Sequence, residues 1–176
     1  LEDGAILVLE GGSVGSGLGA RGEARIIQTG GHLGSDAVLL ADSSMILSGG
    51  TVGDRFLLLG AGASLELVVR SLTLDGEPVP IAPGERITIA ARDVALGAVL
   101  ADGSPADFFL NTDLFVQDTD YFNASAIVTA LGAAPVPCGP ADFAEPFATL
   151  DLADIVAFLN AFADQSSAAD LDGNGS

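Results

Sequence analysis

The stretch Asp170-Leu171-Asp172-Gly173-Asn174-Gly175-Ser176 is where residue type and spacing in this sequence most plainly specify chemistry. With Asp170 as position 1 of a loop, side-chain oxygens stand at positions 1, 3 and 5, a glycine at position 6, and the Ser176 backbone carbonyl at position 7. Hard oxygen donors on alternate residues, followed by a glycine that lets the chain turn sharply, suit a calcium ion. The carboxylate that closes such a loop belongs at position 12, five residues beyond Ser176. Asp170, Asp172, Asn174 and Ser176 are therefore the expected metal ligands of an incomplete site. The cofactor is Ca2+, bound by the chain as it stands no better than roughly millimolar, the weak end for such loops.

The remaining polar groups read less sharply. His32, the sole histidine, occupies the repeat position held elsewhere by Ser13 and Thr51, which predicts an outward-facing imidazole rather than a general base. Asp36, Asp42 and Asp54 fall at different repeat positions, with no long loops to wall a cleft, so no catalytic residue is assigned. Asn123-Ala124-Ser125 has the form of a glycosylation acceptor and reads as the start of a turn. Asp113, Asp118 and Asp120 near Tyr121 read as a solvated acidic loop. Cys138 is the only cysteine; an odd cysteine points to a partner elsewhere or to an isolated thiol.

The elements that position these groups announce themselves by a repeat. The pairs Gly11-Gly12, Gly30-Gly31 and Gly49-Gly50 recur every 19 residues, followed by Ser13-Val14-Gly15-Ser16, His32-Leu33-Gly34-Ser35 and Thr51-Val52-Gly53-Asp54. Apolar runs precede each pair: Leu7-Val8-Leu9, Ile26-Ile27 and Met45-Ile46-Leu47. A fourth copy starts at Leu65-Glu66-Leu67 and ends where Val68-Val69 replace the glycines. Short β-branched runs with fixed glycines at this period specify a parallel β-solenoid, whose aliphatic residues stack from coil to coil. The expected inward columns are Val8, Ile27, Ile46 and Leu65, and Val14, Leu33 and Val52. A stack this short needs more coils upstream or caps at both ends.

Residues 65–131 are expected to form a β-rich cap over the coils of 1–64. Arg86-Ile87-Thr88-Ile89 alternates with the strand period, Asp102-Gly103-Ser104-Pro105 signals a hairpin turn, and Ala126–Leu131 reads as a closing strand. Residues 132–138 form a Pro/Ala linker. In 139–176 the period changes: Ile155, Phe158, Leu159 and Phe162 share one helical face, with Asp151 at the N-cap. The fold class is thus mainly β, a solenoid of 19-residue coils with a β-rich cap, then a small helical fragment.

Composition sets limits on partners. The formal charge is −18, from 24 acidic residues against six arginines and no lysine, which excludes nucleic acid as a partner. Half the chain is apolar (49%), enough for a core, yet no run spans a bilayer and no membrane insertion is expected. The chain begins at Leu1 with no secretory signal in view, and both ends read as cut from a longer protein.

Cys138-Gly139-Pro140-Ala141-Asp142-Phe143-Ala144-Glu145-Pro146-Phe147, with Leu150–Phe158, resembles the first half of a bacterial GC-type dockerin-like domain. Asp170–Ser176 resembles the start of its second EF-hand-like repeat. The solenoid stretch Ser48–Asp54 and the segment Leu100–Pro105 resemble large bacterial surface proteins with β-helices. These resemblances imply a secreted or cell-surface protein, attached through a calcium-dependent module to a cohesin-like or cell-surface protein partner, with polysaccharide as a further candidate ligand. They also imply a terminal cysteine pairing with Cys138 and a degenerate first metal loop of Asp142, Glu145, Asp151 and Asp154. Asp142 and Asp154 are 12 residues apart rather than the regular 11, and Pro146 and Phe147 stand where a flexible ligand-bearing turn belongs. The expected function is that of a non-catalytic structural or adhesive protein. The alternative is the C-terminal part of a polysaccharide-degrading enzyme whose catalytic domain lies upstream.

Overall fold

The computed structural model describes residues 1–113, 119–134 and 152–163, without the side chains of Leu152 and Asp154. The chain divides into two compact units, 1–134 and 135–176.

In the first unit the chain winds as a parallel β-solenoid of about three turns. The first coil carries β1 (Ile6–Leu9), β2 (Ser13–Val14) and β3 (Gly19–Ala20), the second β4 (Arg25–Leu33) and β5 (Ala37–Leu39), and the third β6 (Ser44–Val52) and β7 (Phe56–Leu58). One sheet stacks β1, β4, β6 and then β8 (Ser64–Leu74); the other stacks β3, β5 and β7. Glycines bend the strands of the first sheet, two of them within β4 and β6. Gly12, Gly31 and Gly50 form a column with φ of 75°, 74° and 81°, the left-handed backbone that a β-carbon disfavours.

Of the expected column Val8, Ile27, Ile46 and Leu65, only Leu65 faces the core; in the three coils before it the inward face lies one residue away. Leu7 pairs with Ile26, Ile26 with Met45 and Met45 with Leu65, and this column faces the core; Ile26, Met45 and Leu65 are each 1% exposed. Val8, Ile27 and Ile46 lie on the outer face, where Val8 is 51% exposed and the fourth position is taken by Glu66. A one-residue shift sends every side chain of a strand to the opposite face. Aliphatics occupy both alternations here, so the pattern alone did not separate them. Gln28 compounds the ambiguity: it lies fully buried in the next inner column between Leu9 and Leu47, donating through Nε2 to the Thr51 carbonyl at 3.0 Å. The second expected column does face the core, with Leu33 fully buried between the half-buried Val14 and Val52.

The period also changes once. Leu39 pairs with Leu58, but Ser44 pairs with Ser64, so one residue enters at the corner between them. Gly60 and Gly62 accommodate it. A β-carbon on Gly60 would collide with the Ala41 backbone, and Gly62 has φ of 83°.

Past Val69 the chain has no glycine pair at which to turn, and β8 runs straight on to Leu74. There it pairs with β9 (Glu77–Pro78). After β10 (Arg86–Thr88) come β11 (Ala95–Leu100) and β12 (Pro105–Phe109), a hairpin about the Ala101–Ser104 turn, whose β11 runs antiparallel along the extension of β8. The chain then re-enters the stack. Here β13 (Tyr121–Phe122) pairs in parallel with β7, and β14 (Ile127–Gly132) in parallel with β8, making one more coil after a long excursion. β10 closes the edge by pairing antiparallel with β14. Phe56, Phe108 and Phe122, one each from coil, hairpin and returning strand, meet with ring centroids 5.6–6.0 Å apart. Phe56 and Phe122 are fully buried, each stabilising by about 1.5–3 kcal/mol relative to exposure.

Of the second unit, the structure describes α1 (Leu152–Ala163), which bears the expected apolar face. Ile155, Leu159 and Phe162 are exposed, and the Phe158 and Phe162 rings stack at 6.2 Å. The second repeat that the resemblance implies, beginning at Asp170, lies outside the described residues. Among those described, no helix is long and apolar enough to cross a membrane.

Candidate functional site

The sequence-predicted calcium ligands Asp170, Asp172, Asn174 and Ser176 lie outside the described residues, as do Asp142, Glu145, Asp151 and Cys138. Asp154 falls on the first turn of α1, its side chain outside the description. Among the described residues, no three His, Cys, Asp or Glu side chains converge where they could hold a metal ion.

On the coils, the polar ladder stands where the repeat put it. His32 pairs with Ser13 on one side and Thr51 on the other, is exposed, and its Nδ1 lies 2.8 Å from Thr51 Oγ1. Asp36 and Arg55 occupy equivalent positions on successive coils and form an ion pair at 2.5 Å. Both have left-handed backbones, φ 62° and 67°, at the position that Gly17 fills on the first coil. Asn123 spends its side chain on its own turn, with Oδ1 accepting from the Ser125 N–H and Oγ at 2.9 and 2.6 Å.

Asp120 is not the solvated carboxylate expected of its loop. It is half-buried just before β13, and it joins two elements. Oδ1 accepts the Phe56 N–H of the third coil at 2.7 Å, and Oδ2 accepts the Phe109 N–H of β12 at 3.0 Å. β12 is the last strand on its side of the sheet. Capping an outward N–H, together with Pro105 (which has none) and the charge of Asp107, blunts an edge that would otherwise template pairing. Burial pushes the Asp120 carboxyl above the ordinary range, against the two N–H bonds, and nearby Asp54 adds to the rise.

Asp102 does a parallel job at the hairpin turn. It accepts the Gly50 N–H at 2.8 Å and the Ser104 N–H at 2.8 Å, tying the cap to the glycine pair of the third coil. Burial opposes its ionisation, but the bonds from Ser104 and Gly50 outweigh burial and hold its carboxyl below the ordinary range.

Around Asp120 lies a groove of about 280 Å³ lined by Asp54, Arg55, Asp107, Phe108, Phe109 and Thr119, among others. A second hollow of about 440 Å³ lies over Thr73 and Gly97. Phe109, 43% exposed, lines both, together with Asp107 and Phe108. Carboxylate acceptors beside an exposed aromatic ring can bind hydroxyl-bearing ligands. Both Asp120 oxygens are engaged by backbone, which makes it a clasp rather than a proton-transfer group. Sequence reading missed these roles because the donors Phe56 and Gly50 lie 64 and 52 residues away, and Phe109, 11 residues away, belongs to a different strand; only the Asp102-Gly103 turn signal hinted at one of them. No family model, no curated protein and no solved structure matches the chain.

Proposed function

We propose that this chain is a non-catalytic structural or adhesive part of an exported, cell-surface protein, attached through a calcium-dependent, dockerin-like module in residues 139–176. The observation that carries this reading is the oxygen spacing of Asp170, Asp172 and Asn174 ahead of Gly175. Two further features support it. The β unit 1–134 is compact in itself, and the candidate module falls within a separate compact unit, the division an attachment device requires. The net charge of −18 favours divalent cations as partners over polyanions. In this reading Asp170, Asp172, Asn174 and the Ser176 carbonyl order a loop around Ca2+ and so fix the helix that follows it. Metal binding and folding are coupled in modules of this size.

Titration calorimetry with Ca2+ tests the proposal on two proteins. One is the 176-residue chain; the other extends it by a segment that places a glutamate at loop position 12 and continues into a helix. Weak, roughly millimolar binding is expected for the first, and binding tighter by orders of magnitude, with a gain in helicity, for the second. If the extended protein ignores calcium, or Asp170→Ala leaves its affinity unchanged, the assignment is wrong.

A further inference from the structure

Two columns of glycine run along the coils without any conformational need for glycine. Gly11, Gly30 and Gly49 form one, and Gly15, Gly34 and Gly53 the other; none has the left-handed backbone of the Gly12 column. In the second and third coils, contact explains them. A β-carbon on Gly30 would lie 2.5 Å from the Glu10 carbonyl oxygen, one on Gly34 2.9 Å from the backbone of Gly15 and Ser16, and one on Gly53 2.7 Å from the Ser35 nitrogen. On Gly49 it would strike both the Thr29 carbonyl of the preceding coil and the Asp102 carboxylate of the hairpin turn. Each is glycine because the preceding coil lies against that face. On the first coil the reason is missing: a β-carbon on Gly11 or Gly15 would meet nothing within 4 Å.

The core tells the same story. Ile26, Leu33 and Ala37 of the second coil are 1%, 0% and 1% exposed, whereas their first-coil equivalents Leu7, Val14 and Leu18 are only partly buried. β1 and β3 are the terminal strands of their sheets. Glycine is entropically costly in extended chain, so its recurrence at two sterically free positions needs a neighbour to explain it.

We propose that the open face of the first coil is the seat of a further solenoid coil, a preceding segment of the same polypeptide in the same 19-residue register. Its backbone lies against Gly11 and Gly15, and its aliphatics cover Leu7, Val14 and Leu18. The unit 1–134 is then the closing end of a longer solenoid. Register selects this occupant over a second copy of the chain. The contacts at Gly30 and Gly34 arise from parallel coils one repeat apart. Two copies meeting through this face would be related by a two-fold axis, with β1 antiparallel to β1, and would not reproduce that offset. Head-to-tail stacking is opposed at the larger sheet, where β10 runs antiparallel along β14 and so ends the parallel stack at the far end. The inference does not depend on the calcium-module proposal.

The test compares the 176-residue chain with one carrying an extra coil before Leu1, copied from residues 20–38, which already stack between coils on both sides. Gly15→Ala and Gly34→Ala are introduced into each, and urea unfolding and sedimentation are measured. The extended chain is expected to be monomeric and to unfold at higher urea than its parent. Gly34→Ala should lower the folding equilibrium constant at least tenfold in both proteins. Gly15→Ala should be near neutral in the parent and as damaging as Gly34→Ala in the extended chain. The proposal is overturned if the added coil brings no stability, or if Gly15→Ala remains neutral beneath it. It is equally overturned if the parent sediments as a dimer that Gly15→Ala dissociates, which would make a second copy the occupant.

Discussion

Replacing Asp120 tests whether one carboxylate fastens the edge strand of the cap to the coils. Its two oxygens accept the Phe56 and Phe109 amides at 2.7 and 3.0 Å. An orphaned buried donor costs about 1–3 kcal/mol. The site is half-buried, so water recovers part of that, and the low end of the range applies to each amide. Asp120→Ala should therefore destabilise by about 2 kcal/mol. Asp120→Asn, which keeps one acceptor and turns an NH2 toward the other amide, should cost about 1 kcal/mol. With urea m-values of about 1–3 kcal/mol/M, the alanine variant should lose roughly 1 M in midpoint. Native-state hydrogen exchange should show the Phe56 and Phe109 amides losing protection more than their neighbours.

The pH dependence supplies a sign. Burial raises the Asp120 carboxyl in the folded state above its ordinary value of 3.8. The folded protein then holds this proton more tightly than the unfolded one, so the associated stability is fully present below pH 3.8 and is lost as pH rises through the folded pKa. Asn has no such proton. The advantage of wild type over Asp120→Asn should shrink as pH rises through that window, while contributions shared by both proteins cancel. An alanine variant with unchanged midpoint and full protection at both amides would refute the clasp. An advantage that grows with pH would refute the burial argument.

The corrected register predicts that Met45→Ala costs about 2–5 kcal/mol in urea unfolding while the outward Ile46→Ala costs well under half as much; the reverse order would restore the originally expected face. Asp102→Ala should loosen the hairpin from the third coil. Because the Asp102 carboxyl is held low, the stability it confers is present above its unfolded value of 3.8 and lost as pH falls through the folded pKa, opposite in sign to Asp120. A urea series from acid to neutral pH on the wild type and variant would show this. With −18 charge and no lysine, the chain should not retard DNA or RNA in a gel at moderate salt, and a salt-sensitive shift would overturn that exclusion.

The amino-acid sequence alone determined the solenoid, because the constraint is local and repeated. A bend needing positive φ recurs at Gly12, Gly31 and Gly50, and the aliphatics recur with it. It also marked the Asp102–Ser104 turn and the α1 face, which depend on neighbours within a few residues. It did not determine which side of β1, β4 and β6 faces inward, since both alternations are aliphatic and the polar Gln28 lies on the inner one. Tertiary packing decided that, along with the residue inserted around Gly60 and the return of Tyr121–Gly132 to the stack after a long excursion. The roles of Asp102 and Asp120 were likewise invisible in sequence. A carboxylate's function follows from which amides stand before it, and for these two the partners Gly50 and Phe56 lie 52 and 64 residues away.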